Sequence, residues 1–283
     1  MLAVKSDRPV DPIIVAVIRE IDSLAVELNL PYFVIGAMTR DIVITHVFGL
    51  ETGQATHDVD FAMALESWDQ YESITQQLLT RKQFQKGDVV HKLYYVHASG
   101  IRYPLDIIPF RGVEDAQHTI AWPPEMKILM NVVGYEEALA TAVTVQIEPG
   151  LSVRVASLPG LALLKFIAWI DRGRGDSRDA LDLLTLFRRY PDAGNQDRLY
   201  GDDAATLEAV DFDLDLAGPR LLGQDVRRIA APSALSLIRD TLRDAKAYDR
   251  LATHMAQGLT RVDDSIAAAE RLLDQFTAGF AGD

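Results

Sequence analysis

Cysteine is absent from all 283 residues. That excludes disulfides, thiolate catalysis and cysteine-ligated zinc, and it suits a reducing compartment. Also missing is any run of uncharged apolar residues long enough for a membrane-spanning helix. The opening "MLAVKSDRPVDP" lacks the apolar core of a signal peptide, so the expectation is a cytoplasmic protein with no membrane partner. Positive charge is scarce: 28 Lys and Arg stand against 41 Asp and Glu, giving a formal charge of −13. A surface coated in basic residues for wrapping nucleic acid is therefore excluded. A local basic site is still compatible, because Arg172, Arg174, Arg178, Arg188 and Arg189 crowd one short segment. The acidic remainder suits a basic protein partner.

What the chain does have is apolar content. At 48% hydrophobic and 24% charged, it has the composition of a folded protein with a sizeable core. Apolar residues at 14, 17, 18, 21, 24, 25 and 28 follow the 3.6-residue period and predict a helix over 9–29. A short strand, "YFVIG" (32–36), precedes a second helix over 37–49. A strand over 56–65 and a helix over 67–82 follow, with Ser67 as N-cap. The strands 91–98 and 102–110 should form a hairpin turning at Ser99-Gly100. The stretch 128–155 mixes a short strand, a helical turn and two strands split by Pro149-Gly150. Past Ser157 every pattern is helical: 157–173, 176–190, then near 219–230, 232–247 and 249–278. The acidic run 202–215 reads as a solvated face or loop. The expected fold is α/β (α+β), a short mixed sheet with flanking helices over 1–156, followed by a helical domain over 157–283 that walls the active-site cleft.

The residues that break this pattern are two acids. Asp58 and Asp60 sit two apart on the strand 56–65, so they share a face while Val59 and Phe61 turn to the core. Two carboxylates on one face repel unless a cation lies between them, and hard oxygens suit Mg²⁺ holding a substrate phosphate. Asp106, alone among apolar residues in "PLDIIPF", is the candidate third carboxylate, as metal ligand or as base. Upstream, Gly36 stands where strand becomes helix and lets backbone N–H groups approach phosphate. Ala37 and Arg40 fall in the same turn, and Arg40 is expected on the triphosphate. Asp41 is open between a structural pair with Arg40 and a catalytic role. The chemistry this suggests is attack of a hydroxyl on the α-phosphate of a nucleoside triphosphate.

Gly36-Ala37, Arg40-Asp41, Asp58-Val59-Asp60 and the later Asp106 together resemble the polymerase-β-type nucleotidyltransferase superfamily. The stretch "SLPGLALLKFIAWIDRGRGDSRDALDLLTLF" is similar to the later motifs of the AbiEii/AbiGii-type toxin nucleotidyltransferases. Lys165 matches the family lysine inside an apolar helix, and Asp179 and Asp182 match its acidic helix, with Asp179 the better match to the family's catalytic carboxylate. The resemblance covers about residues 30–187. Ala37 departs from it, since many superfamily members carry serine there. The resemblance implies a bacterial Mg²⁺- and NTP-dependent enzyme, commonly the toxin of a toxin–antitoxin or phage-defence pair with a cognate antitoxin. Some such relatives add nucleotides to the 3′ end of tRNA.

Lys165, residue 169 and Arg172 share a helix face by their spacing, which makes Lys165 and Arg172 candidates for phosphate contact. His57 points away from the aspartate face and is expected to be a packing or surface residue; His91 and His97 show no metal spacing. Two alternatives stand beside transfer to tRNA. One is nucleotidylation of a protein or small molecule, and the other is a binding module that keeps the fold without the chemistry.

Overall fold

The computed structural model describes residues 1–53, 56, 58–259 and 263–282, so His57 lies outside the described residues. The chain divides into two compact units, residues 1–49 with 53–156, and residues 50–52 with 157–283.

The first unit contains β1 (Leu2–Ala3), α1 (Pro12–Glu27), β2 (Tyr32–Ile35) and α2 (Gly36–Arg40), which runs on as a wider π-helical segment, Asp41–Val47. Next come β3 (Val59–Leu65), α3 (Trp68–Thr80), β4 (Phe84–Lys86), β5 (Lys92–Val96) and β6 (Arg102–Arg111). Then follow β7 (Thr119–Ala121), β8 (Leu129–Asn131), α4 (Tyr135–Ala140), β9 (Val143–Glu148) and β10 (Leu151–Val155). Eight strands form one mixed sheet in the order β1-β9-β10-β2-β3-β6-β5-β4, and β7 pairs with β8 apart from it. β2 is buried along its whole length, as a strand covered on both faces must be. It pairs antiparallel with β3, and β3 pairs parallel with β6.

Local chemistry fixes the ends of these elements. Asp11 caps α1 by accepting from the Ile13 N–H at 2.7 Å, with Pro12 in the first turn where its missing donor costs nothing. Ser67 caps α3 by accepting from Gln70 N–H. The sheet is wider than the short one expected, because its edge strands β1 and β4 are two and three residues long and carry too few alternations to read as strands.

The second unit is helical: α5 (Leu158–Arg172), α6 (Arg178–Arg189), α7 (Gln196–Leu199), α8 (Ala204–Glu208), α9 (Leu214–Ile229), α10 (Pro232–Arg243), α11 (Ala245–Ala256) and α12 (Ser265–Ala281). Its core stacks Phe276 between Phe166 and Phe187, with ring centroids 4.7 and 5.0 Å away. α9 and α12 meet backbone to backbone, since a Cβ on Gly279 would overlap the Arg220 carbonyl. The helix expected over 249–278 is instead two. α11 ends at Ala256, and Asp264 caps α12 by accepting from Ala267 N–H. The acidic run 202–215 is mostly exposed, with the short α8 inside it.

Candidate active site

The first unit gathers its chemistry at the junction of β2, β3 and β6. Register places Ile35 opposite Asp60 and Asp60 opposite Asp106. Directly opposed residues of neighbouring strands share a face, so Asp60 and Asp106 form a carboxylate row across the sheet. Both are half-buried, while Asp58, just before β3, is exposed. Gly36 closes the row on one side. Its φ of +70° is left-handed, a conformation that disfavours any side chain, and a Cβ there would overlap Oδ2 of Asp60. The elbow therefore needs glycine twice over: once for its backbone angle, once to leave room for the aspartate. Ala37 follows, half-buried, without a hydroxyl to offer.

Arg40 differs from expectation. It is 3% exposed, and its guanidinium holds Asp41 through Nε–Oδ1 at 2.8 Å and Nη2–Oδ1 at 2.7 Å. A guanidinium sealed in and committed to a carboxylate cannot also grip a triphosphate. The pair has another consequence: Oδ2 of Asp41 accepts from the Thr56 N–H at 3.0 Å, and Thr56 Oγ1 accepts from the Asp58 N–H at 3.3 Å. Arg40 and Asp41 thus fix the backbone entering the strand of aspartates. Thr56 is the link that sequence reasoning missed, since nothing in the order of residues 41 and 56 announces their contact.

The donor set suits Mg²⁺. Among the described residues no three His, Asp or Glu side chains converge on a metal-sized site. Mg²⁺ needs no closed cage, however, and is held by one or two carboxylates together with substrate phosphates and water. Asp60 and Asp106 offer two such oxygen donors side by side on β3 and β6, and Asp58 stands just before β3.

In the second unit, Lys165 of α5 is buried against two acids of α6, with Nζ 3.1 Å from Asp179 and 2.5 Å from Asp182. Arg172, also on α5, meets the same Asp179 with Nε–Oδ2 at 2.6 Å and Nη2–Oδ1 at 2.9 Å. Burial pulls the Lys165 pKa down, but Asp182 and Asp179 outweigh it and hold the ammonium above its usual value. Burial pushes Asp179 up, and the hydrogen bonds and charges of Arg172 and Lys165 overcome it, so its carboxyl lies below the usual range. The structure therefore brings together Lys165 and Arg172, which share a helix face by spacing, with Asp179 and Asp182 of the acidic helix, though not as expected. Asp179 is fully buried with both oxygens occupied, so it is no open carboxylate. Lys165 is satisfied within the helix pair, and the Arg172 side chain, 52% exposed, is the one with access to solvent. Of the histidines, His91 packs at a tilt against Trp122 with ring centroids 5.1 Å apart, and His97 caps the hairpin turn through Ser99 Oγ at 2.8 Å.

Among the described residues no helix is long and apolar enough to cross a membrane. No curated protein shows significant sequence similarity to the chain. Solved structures show remote likeness. An antigenic nucleotidyltransferase-like protein from Paracoccidioides brasiliensis is 16% identical, with 73% of this chain and 93% of that one covered and a TM-score of 0.41. The antibiotic-resistance factor ANT(2'')-Ia is 15% identical, covering 71% and 98%, at 0.35. A Thermotoga maritima CCA-adding enzyme complexed with tRNA is 15% identical, covering 96% and 82%, at 0.26. Scores this low bear on neither mechanism nor substrate. The family model described as "Nucleotidyl transferase AbiEii toxin, Type IV TA system" is different in kind, because it matches residues 55–274 in sequence. Matched by it over most of its length, the chain belongs to the AbiEii family of nucleotidyltransferase toxins of type IV toxin–antitoxin systems.

Proposed function

We propose that this nucleotidyltransferase moves a nucleoside monophosphate from an NTP to the 3′ hydroxyl of a tRNA, with Mg²⁺ held at the carboxylate row, as a cytoplasmic toxin paired with an antitoxin. The observation that carries the reading is the register of Asp60 against Asp106 beside Gly36. Two opposed carboxylates on one face, one of them seated against the glycine elbow, make a place where a cation and the phosphate it carries can be held beside backbone.

In this reading Asp58 and Asp60 hold the metal, and Asp106 either completes its shell or accepts the proton of the attacking hydroxyl. When bound, Mg²⁺ would neutralise the triphosphate and steady the leaving pyrophosphate. Gly36 and Ala37 bring backbone to the phosphates, and Arg40 and Asp41 keep the Thr56–Asp58 segment aimed. In the second unit, Asp179 orients Arg172 for phosphate and keeps Lys165 charged, so the exposed cation of that cluster is a positioned one.

The test is transfer itself. The purified chain with Mg²⁺, each α-³²P-labelled NTP in turn and total bacterial tRNA should label tRNA with one nucleotide, and a folded Asp60→Ala protein should not. Equal labelling by Asp60→Ala removes the metal-site reading. Label on protein or on a small molecule instead of RNA keeps the transfer and replaces the acceptor.

A further inference from the structure

The carboxylate row does not end at Asp106. On the far side of β6, strand β5 places Lys92 directly opposite Asp106, Tyr94 opposite Pro104 and Val96 opposite Arg102. By the same alternation Lys92, Tyr94, Arg102 and Asp106 all stand on one face of the sheet. The Arg102 guanidinium lies over the Tyr94 ring, 3.8 Å from its centroid. Arg102 is exposed, and Tyr94 and Lys92 are half-buried. Neither Lys92 nor Arg102 has an acidic partner among the described residues, in a chain whose acids outnumber its bases by 41 to 28. The start of the Lys92 side chain packs over Gly87, where a Cβ would collide with it.

Unpaired cations interleaved with an aromatic ring are what a single-stranded polynucleotide requires. The cations follow its phosphates, and the ring with its stacked guanidinium offers a flat face to a base of any sequence. The position of the strip adds a direction, because it leads along the β5–β6 hairpin to the carboxylates where the hydroxyl must arrive. A triphosphate alone gives no use to a tyrosine two residues along the strand from the lysine. A small-molecule acceptor gives none to a strip of this length.

We infer that Lys92, Tyr94 and Arg102 form the platform for the single-stranded 3′ end of an RNA acceptor, with a terminal base stacked on the Tyr94–Arg102 pair and a backbone phosphate at Lys92. This rests on the proposed carboxylate site for its meaning, but its test does not. The full chain is titrated into a fluorescent oligoribonucleotide of eight nucleotides with a free 3′ hydroxyl, at low and moderate salt, without NTP or Mg²⁺. Tyr94→Ala should weaken binding by roughly 5- to 150-fold, the range one base–aromatic stack supplies, and Tyr94→Phe should bind like the parent. Lys92→Met should weaken binding and lower the salt dependence by about one phosphate contact. NTP binding with Mg²⁺, measured separately by calorimetry, should be unchanged in Tyr94→Ala. Oligonucleotide binding equal in parent and Tyr94→Ala overturns the inference, as does a parent protein that does not bind the oligonucleotide. Loss of NTP binding in the parent would instead strike the carboxylate site and leave the platform to stand on its own titration.

Discussion

The carboxylate of Asp60 occupies the space that a side chain at Gly36 would fill. Because the elbow also has φ +70°, Gly36→Ala carries two separable penalties. Left-handed strain costs about 1–2 kcal/mol for a non-glycine residue, and displacement of Asp60 comes on top. In the parent background Gly36→Ala should therefore lower stability by more than the strain alone and reduce transfer at least 100-fold. In an Asp60→Ala background the same substitution should cost the strain only. A double-mutant cycle of chemical denaturation reads the difference, and additive penalties would show that the two residues are not in contact.

Asp60 and Asp106 face each other across β3 and β6, and like charges directly opposed on neighbouring strands repel. A divalent cation relieves that repulsion and binds only the folded chain, so it should stabilise by mass action. Adding millimolar Mg²⁺ with a non-hydrolysable NTP should raise the parent's melting temperature by several degrees. Asp106→Asn should abolish the rise, and EDTA should reverse it in the parent. A rise of equal size in Asp106→Asn would place the cation elsewhere.

How much of this was readable in the chain depends on the range of the interaction. The glycine elbow, the pair of aspartates and the later Asp106 could be read because each is written in strand alternation or in a local turn. The main helices of both units follow from apolar spacing for the same reason. The fate of Arg40 was not readable, because its commitment to Asp41 is a matter of burial, and burial is decided by what packs over residue 40. Likewise spacing puts Lys165 and Arg172 on one helix face and resemblance singles out Asp179, but only the packing of α5 on α6 shows the aspartate saturated and the lysine satisfied. The opposition of Lys92 and Asp106 was not within reach, since a turn at Ser99-Gly100 alone would set Lys92 against Ile107, and the observed turn is one residue longer, with Val96 opposite Arg102. Nor was the break between α11 and α12, because apolar residues continue through it at helical spacing.

If Arg40 gripped the triphosphate, its conservative replacement would be felt in substrate affinity. Since its guanidinium is instead buried on Asp41, Arg40→Lys should leave the KM for NTP within about twofold and lower stability by about 1–3 kcal/mol, the cost of an imperfectly satisfied buried charge. Steady-state kinetics beside urea denaturation separates the two. A tenfold rise in KM at unchanged stability would return Arg40 to the phosphates.

Asp179 makes stability depend on acidity in a direction that can be worked out. Its folded pKa lies below the ordinary carboxylate value, so its contribution is complete above about pH 5 and is lost as pH falls through about 3.9 toward the folded value. Lys165 runs the other way, because its pKa is raised above the usual lysine value. Its contribution is complete below about pH 10 and is lost only as alkalinity passes the folded value. Asp179→Asn leaves Lys165 short of one counter-charge and Arg172 without its carboxylate, and breaking a buried pair costs about 3–5 kcal/mol. Denaturation at pH 7, 5 and 3 should therefore show two things. The variant is less stable than the parent at pH 7, and the gap narrows at pH 3, because the parent is then losing what the variant no longer has. A gap that stayed constant across that range would mean that the Asp179 carboxyl titrates alike in the folded and unfolded chain, and that the α5–α6 contact is held by packing and not by its charges.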